Sequence, residues 1–463
     1  MEKIFEKLVI REKVGYSLGD MASNLLFQVF ILFLPIFYTD VFGLPAAAMG
    51  TMFLFTRIWD AINDPIMGMV ADRTNTRWGK FRPYLIWLAL PYGIVGVLMF
   101  TTPDLGVTGK LIYAYITYTL MMMVYTAINV PYAALMGVIT PNSLERTELS
   151  SFRFVGAFLG GLLVQTTTLY LVKYFGKGNE ALGWQWAMSC FAALAVALFL
   201  LTFASTKERV YPPKEQKTTF NRDLKDLFIN KPWLFIAGAT VFQLTFIVMR
   251  NSSIPYYFKY YVMDQQLNLF GKTINLSIEG FTSSFLLVGS ISMIAGVVLT
   301  KWISKILDKK NTYAGFLGGS AVLSALFFFV QPQNVLLIYV FNIFISFLLG
   351  PVSVLQWAIY TDTADYAEWK FNRRATALIM AASLFALKLG VTFGGAIVGW
   401  VLAYYGFMAN QVQTAEALTG IRLLISVFPA ITGIIGGAFM IVYPLTNKMM
   451  VKIEEDLVAR RSA

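Results

Sequence analysis

Asp60, Asn63 and Asp64 lie close together in the run Arg57-Ile-Trp-Asp60-Ala-Ile-Asn63-Asp64-Pro65. At 3.6 residues per turn, the two aspartates share one helical face one turn apart, with Asn63 beside them. Oxygen-bearing side chains gathered on one face can form a small cation cage. If that helix crosses a membrane, each ionised carboxylate costs roughly 2.5–3.5 kcal/mol even on a lenient insertion scale. The pair must then meet a metal cation, a proton or a fixed positive partner. The plainer alternative is a helix-end carboxylate pair neutralised by Arg57.

Other polar residues interrupt apolar stretches and are candidates for binding a solute. Asp20, Asn24 and Gln28 recur at spacings of four and share a face. Asn24 could hydrogen-bond hydroxyl groups, or simply tie two helices together. Tyr118, Tyr125, Thr126 and Asn129 precede Pro131, and Thr126 and Asn129 can offer oxygens or amides to one cavity. Arg153 is a candidate substrate donor or gate residue. Further on, Arg250, Trp357 and Lys388 stand out. Trp357 could stack on a sugar ring or fill core. Lys388 needs an anionic partner, whereas Arg250 could snorkel to the interface.

The elements that must position these groups are membrane helices. The chain has 463 residues, 57% hydrophobic and only 14% charged, where soluble proteins carry about 25% charged residues. A net charge of +11 could suit nucleic acid, but the basic residues form no single patch. With no His and one Cys, Cys190, the chain excludes a His-based metal site, a Ser–His or Cys–His catalytic centre and an intramolecular disulfide. The main acid pair suited to hydrolysis would be Asp60 and Asp64, within an expected span near its midplane. We therefore expect no enzyme, no cofactor and no nucleic-acid partner.

Twelve segments are long enough to cross a bilayer: 18–42, 46–71, 84–102, 110–140, 150–173, 184–205, 233–260, 278–304, 313–331, 334–361, 376–404 and 420–445. Of the 37 Lys and Arg, 28 fall in the two tails and the even-numbered connections, six in the others, and Arg57, Arg250 and Lys388 inside spans. That asymmetry puts both termini in the cytoplasm and requires an even number of spans. The charged stretch 1–13 shows no cleavage site, so no removable signal peptide is expected. The expected organisation is a six-helix bundle over 1–206, a cytoplasmic loop over 207–232, a second bundle over 233–445 and a tail over 446–463.

Internal duplication is faint. Asp72-Arg73 through Arg82 follows the second span, and Asp308-Lys309-Lys310 follows the eighth. Two six-span halves rocking about a midplane site would give alternating access, an architecture that looks like a major-facilitator carrier. Asp72, Arg73, Arg77, Lys80 and Arg82, with Asp362, Asp365, Glu368 and Arg374, could form a cytoplasmic ionic gate, or be retained there by the orientation rule.

Gly15-Tyr-Ser-Leu-Gly-Asp20, Phe37-Tyr-Thr-Asp40, Arg57 through Gly68, Arg77-Trp-Gly-Lys-Phe-Arg-Pro83 and Asp362-Thr-Ala-Asp365-Tyr-Ala-Glu368 resemble the glycoside–pentoside–hexuronide:cation symporters over nearly the whole chain. The resemblance implies sugar symport with Na⁺ or H⁺. It implies that Asp60, Asp64, Asn63 and Thr126 hold the cation and that Tyr125, Arg153 and Lys388 line the sugar site or its charge network. Melibiose carriers of that family have aspartates where this chain has Asn24 and Asn129, and a Trp where it has Ala133.

With those aspartates replaced, the cavity is less negative. We expect an acidic glycoside such as a uronide, with a neutral xyloside or oligosaccharide as the alternative and a sodium-coupled lysolipid carrier as a more distant one. Several oxygen ligands favour Na⁺, although a carboxyl pair could carry a proton instead. The expected setting is the inner (plasma) membrane, as a monomer, with a small sugar, a monovalent cation and lipid as partners.

Overall fold

The computed structural model describes residues 8–140, 143–209, 228–269, 272–371 and 376–462. Of the expected gate residues, Arg374 and the Asp72 side chain lie outside the described residues. The first unit, Met1–Glu215, contains α1 (Ile10–Leu32), the short α2 (Leu34–Ile36), α3 (Ala46–Arg73), α4 (Arg82–Met99), α5 (Val107–Ile139), α6 (Ser143–Gly176) and α7 (Glu180–Ser205). The second unit, Gln216–Ala463, contains α8 (Lys231–Tyr256), α9 (Ile278–Ile306), α10 (Lys309–Phe327), α11 (Val335–Phe371), α12 (Thr376–Tyr404), α13 (Ala415–Ile425), α14 (Val427–Ile441) and α15 (Asn447–Ser462). A hairpin of β1 (Gln265–Leu269) and β2 (Lys272–Leu276) is a small exception to the all-helical architecture.

Helices cover all twelve expected span positions. Among the described residues, nine are long and apolar enough to cross a membrane, or ten when α1 and the segment Leu34–Val41 are taken as one span bent by 54°. Their outward faces are apolar as well: Trp87, Leu90, Ile94 and Leu98 recur along one side of α4 and are all exposed. An exposed stripe of that kind is stable against lipid, not water. The chain is a multi-pass membrane protein.

The two units repeat one packing scheme. Among the extensive helix contacts in the first are α1 with α6, α3 with α5, and α4 with α7; the second pairs α8 with α12, α9 with α11, and α10 with α14. Close approach depends on missing side chains. A Cβ on Gly156 would come within 2.3 Å of the Ser17 carbonyl, and one on Gly350 within 2.3 Å of the Met293 carbonyl. Small residues let membrane helices pack backbone to backbone, gaining dispersion contacts where lipid supplies no hydrophobic drive.

A second repeat escaped the sequence reading. α1 is followed by Pro35 and the π-helical turn Phe37–Val41, and α8 contains Pro255 and is followed by the π-helical turn Tyr257–Val262. The signal was present as Pro-Ile-Phe-Tyr-Thr-Asp-Val beside Pro-Tyr-Tyr-Phe-Lys-Tyr-Tyr-Val. Proline lacks the N–H a regular ladder needs, and the wider turn accommodates the break.

Candidate cation and substrate site

The first unit brings Asp60 and Asp64 to Thr126. α3 places the aspartates one turn apart, and α5 packs alongside and carries Thr126. Thr126 Oγ1 lies 2.8 Å from Asp60 Oδ1 and 2.9 Å from Asp64 Oδ1. Asp60 and Thr126 are buried, at 4% and 2% exposure. A hydroxyl has one hydrogen and can donate it to one carboxylate at a time. With both carboxylates ionised, the second contact would set lone pair against lone pair. Another proton or a cation relieves that arrangement. Asn63 is part-buried on the same helix, and its amide makes no hydrogen bond among the described residues. Arg57 directs its Nε–H to the Tyr118 hydroxyl at 3.0 Å.

Nearby, α1, α5 and α6 assemble a polar cluster. Arg153 grips Asp20 with two hydrogen bonds, Nε to Oδ2 at 2.5 Å and Nη2 to Oδ1 at 3.2 Å. The Tyr132 hydroxyl, with one hydrogen to donate, stands 2.6 Å from the Tyr16 carbonyl oxygen and 2.9 Å from Asp20 Oδ2. The guanidinium sits 5.2 Å from the Tyr132 ring centroid and 5.8 Å from that of Tyr16. With side-chain exposures of 15% and 25%, Asp20 and Arg153 form a largely desolvated pair whose charges offset one another.

The amides expected to bind sugar are placed differently from one another. Asn129 donates to the Tyr125 carbonyl at 2.9 Å and accepts from the Ser23 hydroxyl at 2.6 Å, so it ties α5 to α1. Asn24 donates to the Asp20 carbonyl at 2.9 Å, and its side-chain oxygen makes no hydrogen bond among the described residues. Gln28 packs beside Gly161 of α6. Tyr125 stacks on Phe27 at 5.3 Å between centroids. Ala133 is exposed.

In the second unit, Trp357 is 39% exposed and meets Tyr360 edge-on. Lys388 is half-buried within α12. Arg250 does not snorkel: it is 3% exposed and donates to Asn342 Oδ1 at 3.1 Å.

Among the expected gate residues, Arg73 and Arg77 are exposed, and Arg77 lies 4.6 Å over the Trp78 ring. Sequence reasoning missed Glu208, which anchors the start of α4 by accepting the backbone N–H groups of Lys80, Phe81 and Arg82 at 2.8, 2.7 and 2.9 Å. A carboxylate at the start of α4 satisfies unpaired N–H groups and the positive helix end. Gly79 permits the turn with φ of +111°, and a Cβ there would strike Glu208. In the second unit, Asp362 accepts from Lys309 at 2.8 and 3.0 Å. Asp365 and Glu368 are part-buried on the same helix. Tyr443, between α14 and α15, is buried, and its backbone carbonyl accepts from Lys310 at 3.2 Å.

These features define a polytopic carrier with a buried acidic centre. Residues 15–447 match the family model described as MFS/sugar transport protein. The chain belongs to that family, within the major facilitator superfamily, and is a transporter, not an enzyme. It is 39% identical to the inner membrane symporter YicJ of Escherichia coli (strain K12), over 92% of this chain and 90% of that one. It is 35% identical to the isoprimeverose transporter of Lactiplantibacillus pentosus, over 96% and 91%. It is 32% identical to the glucuronide carrier protein homolog of Escherichia coli (strain K12), over 98% and 97%. The fold is also that of a bacterial homologue of the human drug peptide transporters PepT1 and PepT2, with a TM-score of 0.68 at 11% identity over 96% of this chain and 99% of that one.

Proposed function

We propose that this protein is a secondary symporter that couples glycoside movement to Na⁺ by alternating access, with Asp60, Asp64, Thr126 and Asn63 as the ion ligands. The observation that carries this reading is the Thr126 hydroxyl oxygen, which has one hydrogen to give, standing 2.8 and 2.9 Å from two carboxylate oxygens. A cation accepts lone pairs from all three oxygens at once, and the Asn63 amide adds a fourth donor atom. Protonation of one carboxyl would also mend the hydrogen count, so H⁺ is the second reading. Uptake into proteoliposomes at fixed pH, with Na⁺ replaced by K⁺, separates the two. Uptake indifferent to Na⁺ but driven by a pH gradient would overturn the sodium site.

The substrate reading favours a neutral glycoside. The acidic glycoside expected from sequence rested on the amides Asn24 and Asn129 in place of aspartates, together with the charges of Lys388, Arg153 and Arg250. Arg153 is spent on Asp20, and Arg250 is enclosed within the second unit. A binding screen of neutral and acidic glycosides, each in Na⁺ and in K⁺, tests ligand and ion together, because a coupled ion must raise substrate affinity reciprocally. Sodium-dependent binding of uronides without binding of neutral glycosides would restore the acidic reading. We further propose that the carrier works in the cytoplasmic membrane with both termini inside. The cytoplasmic charges at Asp72, Arg73, Arg77, Asp362, Asp365, Glu368 and Arg374 would then serve the inner gate.

A further inference from the structure

The second unit contains a buried positive centre that the symport reading does not use. Arg250 on α8 is 3% exposed. Its Nη2 donates to Asn342 Oδ1, and Asn342 is held in turn by donating to the Phe285 carbonyl at 2.7 Å. The guanidinium lies 5.7 and 5.5 Å from the ring centroids of Phe285 and Phe327. Among the described residues, its Nη1 has no hydrogen-bond partner. Seven residues along, the Tyr257 hydroxyl is likewise buried and unpartnered, and its ring packs 5.5 Å from the Phe327 that Arg250 also covers. A second cation stands behind it: Arg422 lies 5.1 Å over the Tyr261 ring, itself 5.3 Å from the Tyr257 ring. Among the described residues, neither arginine has a carboxylate within ion-pair distance.

Burying a guanidinium without a counter-charge is costly, and attraction to two phenyl faces offsets only part of that cost. Arg250 Nη1 and Tyr257 Oη are both hydrogen-bond donors with nothing to receive them. A water molecule could accept from one or both, but would leave the charge unneutralised. A small anion accepts both hydrogens and supplies the missing charge. Both groups are nearly inaccessible, Arg250 at 3% and Tyr257 at 1% exposure, which favours a small ion. We propose that Arg250 Nη1 and Tyr257 Oη hold a small monovalent anion of chloride's size and charge, in a field reinforced by Arg422.

The test uses the purified full-length protein without sugar, in NaCl, NaBr and sodium gluconate at equal ionic strength. Sodium is present throughout, so the outcome does not depend on the cation site. Chloride and bromide should raise the thermal unfolding midpoint saturably over gluconate. Tyr257→Phe should weaken the apparent chloride affinity at least about tenfold, as expected for losing a hydrogen bond to a charged group. Arg250→Gln should remove the effect. Should Arg250→Gln fail to fold, Tyr257→Phe and bromide-soaked crystals still decide the matter, the crystals by an anomalous peak within hydrogen-bond distance of Nη1 and Oη. Equal midpoints for the wild-type protein in all three salts would overturn the proposal in favour of buried water. So would an undiminished chloride effect in Tyr257→Phe or Arg250→Gln, or a bromide peak only elsewhere.

Discussion

The two units share a helix-pairing scheme and a proline-then-π-turn device, yet they bury opposite charges. The first gathers Asp60 and Asp64 around Thr126, and the second encloses Arg250, which shares the Phe327 ring with Tyr257. The duplicated backbone is therefore a neutral frame. What each unit can bind is set by a few side chains placed where lipid and water are both excluded, so each charge must find its counter-charge inside the unit or from a visiting ion. The Asp20–Arg153 pair marks the other outcome, a cation and an anion already matched and needing no visitor.

That contrast can be broken by substitution. The largest effect is expected for Asp60→Asn, which removes the buried negative charge: concentrative glycoside uptake should fall to background while exchange of labelled for unlabelled glycoside partly survives. Unchanged accumulation would show that this carboxylate does not couple the ion. Next, Asp20→Asn should cost about 3 kcal/mol of stability, because it strands a largely buried guanidinium. A thermal unfolding midpoint equal to the wild type would show that Arg153 finds another partner.

Thr126→Val should weaken cation binding by about 1.5–3 kcal/mol, roughly 10- to 100-fold, by deleting a hydroxyl shared by charged groups, and Thr126→Ser should recover most of it. Cation-dependent protection against thermal unfolding reads this directly, and an unaltered affinity in the valine variant would remove Thr126 from the site. The smallest effect is expected in the second unit, where Asn342→Ala should cost about 1–2 kcal/mol by freeing Arg250 Nη2. If it costs nothing, Arg250 is held by the Phe285 and Phe327 faces instead.

Much of this arrangement was legible. The spacing of Asp60 and Asp64 within an apolar stretch, together with the span lengths, placed an acidic centre on the second of twelve expected helices. Thr126 was a candidate through the resemblance and through its position on the fourth. The repeated aromatic turn after Pro35 and Pro255 could also have been read, as a proline followed by a run of aromatic residues. Glu208 carried no such signal. It lies 126 residues from Arg82, whose N–H it receives, and nothing local relates a carboxylate in one connection to a helix start in another. The placement of Arg250 was equally hidden, since a basic residue near a span end can snorkel or be enclosed, and the choice depends on Phe285, Phe327 and Asn342 from other helices.

By itself, the sequence determined that the chain crosses a membrane many times, that it has no histidine and no second cysteine for an intramolecular disulfide, and that two carboxylates share a helix face. Those properties follow from composition and from the 3.6-residue period, which are local. Only the tertiary structure decided which groups stand beside each charge. It pairs Arg153 with Asp20, sets one hydroxyl between Asp60 and Asp64, and closes aromatic rings over Arg250. The reason is physical: a buried charge is governed by what stands within a few ångströms of it, and in a helical bundle those neighbours come from distant parts of the chain.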